Sequence, residues 1–201
     1  TRFERTSLDG TDLGSARITA ATFFKCDLKR SKFSKRSLEG CDFTDAILAD
    51  CELSGASFRN CILKGCDFAR SNLEGANFAA AKAMSADFTE ARLRGASFAG
   101  ADLRQACFEK ASLIETDFSG CDLRESIFER AEAQKAKFGG ARMCFADCSY
   151  AGFEIADFSD ADLTGANLHS VRDDGAEWDG ANLKQVRKTD PKRLKGEKEA
   201  S

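Results

Sequence analysis

The 201-residue sequence has little of several residue types on which common functional sites depend. It contains one proline, one tryptophan, one tyrosine and one histidine. With a single histidine and no Cys-x-x-Cys pair, the chain has few ligands for a zinc site, so no metal or other cofactor is expected. The sequence has no run of about 18 apolar residues, so no membrane span is expected. It does not open with a charged and then apolar leader, so no secretory signal is expected.

A repeat of five residues organises almost the whole chain. With Phe3 as the first centre, a large apolar residue recurs at every fifth position as far as Leu183, without an insertion or deletion. Of 37 such centres, 33 are Phe, Leu, Ile, Met or Trp. The residue two places before each centre is Ala, Cys, Ser or Thr, except at Arg36 and Val171. The second place after the centre takes 12 of the 16 glycines.

A period of five fits neither an α-helix nor a simple strand, whose side-chain periods are 3.6 and 2. Each unit must therefore turn a corner, and glycine lies where a turn would need a positive φ. Four such units close a square coil of 20 residues, in which the centre and the small residue point inward. The sequence predicts about nine such coils, stacked by sheet-like hydrogen bonds.

Phe and Leu alternate as centres from Phe58 to Phe78 and from Phe88 to Phe128. With four sides per coil, this alternation places Phe on two opposite sides and stacks each Phe on the one 20 residues later. The alternation skips one step at Leu48 and Leu53. The Phe columns are therefore predicted to change sides at that point.

Nine cysteines could indicate disulfides, but six of them share the small inward position of the repeat: Cys26, Cys41, Cys51, Cys61, Cys66 and Cys121. Free cysteine packs well as a small buried residue. We therefore expect reduced, structural thiols and a cytoplasmic protein.

Units such as Gly75-Ala76-Asn77-Phe78 and Gly165-Ala166-Asn167-Leu168 resemble the consensus A-(D/N)-L-x-x of the pentapeptide-repeat family. The resemblance covers residues 1 to about 185. It implies an all-β fold, the right-handed quadrilateral parallel β-helix, but little about function, because the family serves many roles. We expect this β-helix over residues 1–185 and a charged, mobile tail over residues 186–201. Because the repeat has already begun at Thr1, a segment of a longer protein is expected.

Charge is distributed unevenly along the chain. Residues 1–40 carry nine basic and five acidic side chains, residues 41–185 carry 15 and 25, and residues 186–201 carry six and three. The respective net charges of +4, −10 and +3 predict an acidic rod with basic ends. The densest basic stretch could bind an acidic partner or phosphates, or it could be a solvated surface: Lys25, Lys29, Arg30, Lys32, Lys35 and Arg36.

Phe145, Tyr150 and Ile155 occupy the glycine-type position in three successive units. This position should face outward, which predicts an apolar belt around one coil and a contact surface for a partner. The alternative is that the atypical centres Met143 and Cys148 mark a distorted coil, which turns these three side chains inward.

The sequence carries no recognisable catalytic motif. His169 lies at an outward position near Asp174 and Asp179, and this set makes a poor triad or metal centre. No nucleophile elbow or phosphate-cradling loop occurs. The sequence therefore predicts a protein without enzymatic activity.

The favoured function is a protein–protein interaction scaffold within a larger bacterial protein. Three C-terminal segments resemble the end of the repeat tract in type VI secretion accessory proteins: Ala166–Arg172, Gly180–Lys184 and Arg187–Asp190. That resemblance implies help in loading effectors onto the secreted spike. The expected partner is another protein, without membrane or direct nucleic-acid contact, and a monomer is favoured.

The alternative function is DNA mimicry. Some members of the family resemble duplex DNA in width and negative charge, and they bind type II topoisomerases such as DNA gyrase. The net charge of −10 over residues 41–185 favours this alternative. The basic ends and the charged tail, which contains Pro191, argue against it, because the mimics dimerise through an apolar C-terminal helix.

Overall fold

The computed structural model describes residues 1–13, 18 and 20–189, which form strands, single-residue bridges and turns. Near the start of the chain, β1 (Arg2–Glu4) pairs in parallel with β2 (Thr22–Phe24). Near its end, β3 (Asn167–Leu168) pairs in parallel with β4 (Arg187–Lys188). The sheet between them consists of isolated parallel bridges, because each straight segment is too short to count as a longer strand.

Every bridge joins residues that are 20 positions apart, as Asp42 to Ile62 and Ile62 to Lys82 show. The bridging residue is always the one before a centre. This constant register means four five-residue sides per coil, and the chain winds as the right-handed quadrilateral parallel β-helix that was predicted. More than nine coils stack at roughly 4.8 Å each, which gives a rod of about 45 Å.

Two kinds of backbone hydrogen bond hold each unit. Along the rod, the amide of a centre donates to the next coil, as Phe68 N does to the Asp87 carbonyl oxygen at 2.7 Å. At each corner, an amide donates back across the turn, as Ser71 N does to the Phe68 carbonyl oxygen at 3.1 Å. Backbone pairing therefore runs along all four sides.

The interior contains the centres and the small residues, as predicted. Phe3, Phe23 and Phe43 stack on one side at centroid separations of 5.1 and 4.8 Å. From Phe58 onward the rings stack on the other two sides, so the predicted change of sides is confirmed. The two later columns meet edge-on across the axis, with Phe68 and Phe78 at 5.8 Å and 86°.

The small inward residues also donate hydrogen bonds. Cys61 Sγ donates to the Leu38 carbonyl oxygen at 2.9 Å, and Thr116 Oγ1 donates to the Leu93 carbonyl oxygen at the same distance. All nine cysteines are free thiols, and the six at the small position are buried, as expected. Desolvation by burial raises the pKa of Cys51, Cys61 and Cys121 to about 12. Such thiols stay protonated and are poor nucleophiles.

The last described coil closes the apolar interior with an aromatic ring. Trp178 stacks on Phe158 with centroids 4.3 Å apart and planes 3° apart. Asp173, which stands at a centre position, is exposed to solvent. Residues 190–201, most of the predicted tail, lie outside the described residues.

Candidate partner-binding surface

The corners of the rod are formed by the second residue after each centre, and this residue has a positive φ in every described unit. Twelve of these residues are glycines and 24 are not. Left-handed backbone suits glycine and is tolerated by asparagine and aspartate, but it crowds the side chain of other residues. Large apolar residues are therefore the least expected at the corners.

Three successive corners nevertheless carry large apolar residues, and we call Phe145, Tyr150 and Ile155 the apolar belt. Their φ angles are 61°, 60° and 60°. Phe145 is 63% exposed and Ile155 is 61% exposed, whereas Tyr150 is half-buried. The interior of this coil remains regular, with Met143 and Cys148 fully buried. Of the two alternatives left by the sequence, the structure thus has the belt on the outside.

The belt residues lean over glycines of the following coil. A Cβ atom on Gly165 would lie 2.6 Å from Cε1 of the Phe145 ring. A Cβ atom on Gly175 would lie 3.6 Å from Cγ1 of Ile155. Glycine at these two positions leaves room for the belt side chains, because no side chain projects from the next corner beside them.

Tyr150 is held between two polar neighbours. The Arg130 guanidinium carbon lies 5.1 Å from the centre of its ring, which is a cation–π arrangement. His169 meets the ring edge-on at 5.2 Å and 86°. Tyr150 therefore lies half-buried at the corner between the two exposed members of the belt.

The six basic residues singled out in the sequence spread over three corners instead of sharing one side. Lys25 lies 3.8 Å from Asp45 and 5.2 Å from the Phe24 ring, and Arg30 pairs with Asp9. Lys29 and Lys32 flank Arg30, while Lys35 and Arg36 follow at the next corner. Lys25 and Arg30 thus already have acidic neighbours, and no flat basic surface results.

Single exposed apolar residues also occur on the sides. Ile62 and Ile127, at bridging positions, are each 39% exposed. They are far enough apart in the repeat to form no patch, and such isolated exposures are normal.

The acidic residues of the repeat have a structural task. At the bridging position, Asp carboxylates accept a hydrogen bond from the amide two residues later, as Asp87 Oδ1 does from Thr89 N at 2.8 Å. Asn does the same, as Asn77 Oδ1 does from Ala79 N at 3.0 Å. These side chains cap the turn as Asx-turns. Much of the negative charge therefore follows from turn chemistry that Asn also supplies.

A polar clamp crosses two coils on the side next to Ile155. Arg172 Nη2 donates to Glu132 Oε2 at 2.9 Å, and its Nε donates to Glu154 Oε1 at 2.9 Å. The guanidinium passes over Gly152, where a Cβ atom would collide with it. Sequence analysis missed this clamp, although Gly152, a glycine outside the corner position, was the available signal.

The C-terminal end of the described rod is concave. A depression of about 520 Å³ is bordered by Leu168, Val171, Asp173, Trp178, Leu183, Lys188 and Thr189. Asp173 contributes to it, because its exposed side chain leaves a centre position unfilled.

The described residues offer few side chains in an arrangement suited to catalysis or metal binding. His169 contacts Tyr150 and lies 3.3 Å from Ser170 Oγ. Among residues 1–13, 18 and 20–189, no group of three or more His, Cys, Asp or Glu side chains could hold a metal ion. The described segments include no helix with the length and apolarity needed to cross a bilayer.

Comparisons with known proteins concern the repeat and its coil. A family model described as "Pentapeptide repeat region" matches residues 41–118. A second, described as "Pentapeptide repeats (8 copies)", matches residues 106–144 and 145–172. Together they span residues 41–172, about two thirds of the chain. No curated protein matches the chain.

Solved structures show the same coil. Full-length QnrB1, a plasmid-mediated fluoroquinolone resistance protein, is 18% identical with a TM-score of 0.50, over 100% of this chain and 99% of that one. HetL, a pentapeptide repeat protein involved in heterocyst differentiation regulation in Nostoc sp. strain PCC 7120, is 26% identical over 92% and 86%, with a TM-score of 0.37. A pentapeptide repeat protein from the Arabidopsis thaliana thylakoid lumen is 30% identical over 55% and 70%, with a TM-score of 0.32.

Proposed function

This chain belongs to the pentapeptide-repeat family, and from that premise we propose that it is a non-catalytic scaffold that binds another protein through the apolar belt. The observation that carries the proposal is the exposure of Phe145 and Ile155, both above 60%, at corners that other coils fill with glycine, alanine or polar residues. The three belt residues lie at successive corners of one coil, with Phe145 and Ile155 at opposite corners, so a partner that covers these exposed apolar side chains would extend part of the way around the rod.

The belt lowers the stability of the isolated protein. A left-handed backbone costs an ordinary L-residue roughly 1–2 kcal/mol, and the crowding is worst for β-branched side chains such as that of Ile155. The exposed side chains recover little of this cost by burial. Every described corner shares this backbone conformation, so what distinguishes the belt is the size and exposure of its side chains. A contact surface explains why these residues stand at the corners.

A finer assignment is part of the proposal. The C-terminal segments Ala166–Arg172 and Gly180–Lys184 resemble those of type VI secretion accessory proteins, which makes an effector or a spike component the expected partner. The protein would then act as an adaptor within a larger bacterial protein, and a monomer is expected.

The test compares two double variants in a binding assay with the full-length protein and its isolated partner. The belt variant is Phe145→Asn with Ile155→Asn, since Asn60 already occupies a corner with φ of 56°. The control is Ile62→Asn with Ile127→Asn, since Asn72 and Asn77 already occupy bridging positions. The affinity of the belt variant for the partner should fall by about tenfold or more, while the control should bind the partner normally. Equal binding by both variants would overturn the proposal.

DNA mimicry remains the second candidate, because residues 41–185 carry a net charge of −10. The turn-capping role of Asp, which Asn shares, accounts for much of that charge without a DNA-like partner. The decisive assay is gyrase supercoiling. We expect no inhibition and no protection from quinolones at micromolar protein, and either effect would make mimicry the better proposal.

We also propose a cytoplasmic location, because the nine free thiols suit a reducing compartment. Cell fractionation of the source organism tests it. Recovery of the protein from an oxidising compartment would contradict it.

A further inference from the structure

The apolar belt lies in the most acidic part of the described chain. Residues 141–180, which form two coils, contain nine acidic and two basic side chains, a net charge of −7. The five coils of residues 41–140 contain 16 acidic and 12 basic side chains, a net charge of only −4. Negative charge is thus concentrated where the large apolar side chains are exposed.

Both basic residues of these two coils are already paired. Arg172 is held by Glu132 and Glu154 in the clamp described above. Arg142 Nη1 lies 3.5 Å from Asp122 Oδ2, a carboxylate of the preceding coil. Arg172 therefore neutralises Glu154 beside Ile155, but neither base lies on the side of the rod that follows the Ile155 corner.

The acids beside Ile155 belong to one side of the rod. Asp157, Asp160, Glu177 and Asp179 all lie on the side that follows the Ile155 corner, and this side has no basic residue in these two coils. The preceding coil places Lys137 in register with Asp157, so this side carries four carboxylates against one base.

Phe145 has acidic neighbours as well. Asp147 follows it at the next bridging position, and Asp162 lies on the adjoining side in the next coil, where its Oδ2 accepts a hydrogen bond from Cys144 at 3.2 Å. Asp147 Oδ1 accepts hydrogen bonds from Ser149 N and Asn167 Nδ2 at 3.0 and 2.9 Å. Both exposed apolar residues are thus framed by negative charge.

We propose that the partner of the apolar belt is a cationic polypeptide segment, in which lysine or arginine residues flank apolar side chains that pack on Phe145 and Ile155. This inference rests on the proposed function and names the chemistry of its partner. Apolar contact alone selects no partner, whereas the surrounding carboxylates attract a basic segment and repel acidic ones. Gly165 and Gly175 leave room beside the two side chains for such a segment to lie close to the rod.

Three synthetic peptides serve as probes: four Lys-Leu-Lys-Ser repeats, the same peptide with Glu in place of Lys, and the same peptide with Ser in place of Leu. Binding to the full chain is measured by fluorescence anisotropy at about 50 mM and about 200 mM salt, which changes the screening length. The Lys-Leu peptide should bind best and lose about tenfold in affinity at the higher salt. The Glu peptide should not bind, and the Lys-Ser peptide should bind more weakly.

Location is tested with two triple variants that remove the same charge. The belt triple is Asp157→Asn, Asp160→Asn and Glu177→Gln, and the control triple is Asp67→Asn, Asp87→Asn and Glu90→Gln in the middle coils. Asn keeps the turn cap at bridging positions, and circular dichroism checks that both triples fold. We expect the belt triple to weaken binding of the Lys-Leu peptide about fivefold, and the control triple to change it less than about twofold.

The outcomes separate this inference from the proposed function. Equal weakening by the two triples, or tighter binding of the Glu peptide, would overturn the cationic partner. The Phe145→Asn with Ile155→Asn variant could lose affinity for the isolated partner while salt and the belt triple leave that affinity unchanged. The belt would then be a binding site for a partner of another chemistry. If none of these changes affects the partner, both proposals fail.

Discussion

The middle coils and the belt coil have the same interior and different corners. In both, a centre and a small residue fill the interior, as Phe98 with Ala96 and Phe158 with Ala156 show. The corners from Gly55 to Lys135 carry only glycine, alanine or polar residues, whereas the next coil carries the apolar belt. The fold constrains two positions in five and leaves the others free. Specialisation therefore shows as departures at outward positions, against an unchanged interior.

The two regions should differ most in the loss of stability when one phenylalanine is removed from each. Phe98 is fully buried and stacks on Phe78 and Phe118 at 4.6 and 5.1 Å. Phe98→Ala should lower the free energy of unfolding by about 3–5 kcal/mol, because it removes buried contacts and leaves a cavity. Phe145→Ala should change it by less than about 1 kcal/mol. Urea unfolding measures both, and similar losses would mean that the belt is part of the packed interior.

A second change tests the strain at the corners. Ile155→Asn should raise the free energy of unfolding by about 0.5–1 kcal/mol, because asparagine tolerates the left-handed backbone better than a β-branched residue. The matched opposite change is Gly100→Ala in the middle coils, where φ is 67° and a new Cβ atom would meet nothing within 4 Å. It should lower the stability by about 1 kcal/mol for the same reason. A stability loss on Ile155→Asn would show that Ile155 packs favourably where it is.

The interior could be predicted from the sequence because it depends on one rule applied at every fifth residue. The step at Leu48 and Leu53 was enough to locate where the Phe columns change sides. The corners were less predictable, since the same residue could face outward in a regular coil or inward in a distorted one. For Phe145 and Ile155, only the unbroken ladder of bridges decided between the two.

Contacts between coils could not be predicted for a different reason. They depend on which long side chains lie in register across 20 or 40 residues and on which rotamers they adopt. The Arg172 clamp joins Glu132 and Glu154 across two coils, and no local motif marks it. The spread of the basic residues from Lys25 to Arg36 over three corners, by contrast, follows from the repeat itself, because they span more than half of a 20-residue coil. The repeat places each residue on a side but does not choose its partners.

A third change tests the Arg172 clamp of the belt region. Gly152→Ala should lower the free energy of unfolding by roughly 0.5 kcal/mol, because the new methyl group displaces the Arg172 guanidinium and exposed ion pairs are weak. The φ of Gly152 is not positive, so backbone strain does not contribute. In an Arg172→Ala background the same substitution should have almost no effect, and thermal unfolding of the four proteins measures the difference. A full effect in that background would mean that the backbone, and not the clamp, requires glycine.

The smallest expected effect concerns carboxylate pKa values, which are lowered by different causes in the two regions. In the middle, the Arg124 guanidinium, which donates to both oxygens of Asp122 at 2.8 and 2.7 Å, lowers the pKa of that carboxyl. In the belt region, the pKa of Asp157 is lowered mainly by hydrogen bonds from the side chain and backbone of Ser159, and the charge of Lys137 makes the smallest contribution. Salt screens a pairing of charges but leaves hydrogen bonds within a turn largely intact.

Raising the salt to about 1 M should therefore move the pKa of Asp122 up towards its ordinary value and leave that of Asp157 unchanged. Carboxyl carbon chemical shifts followed by NMR from pH 6 to pH 2 (~4 pH units) report each group separately. Because both pKa values are depressed in the folded state, each group stabilises the fold above about pH 4, its unfolded pKa, and this stability is lost as the pH falls through the folded value. Arg124→Gln should raise the pKa of Asp122 alone. If salt moved both values equally, the acids of the belt region would owe their low pKa to neighbouring bases, and the contrast between the two regions would be lost.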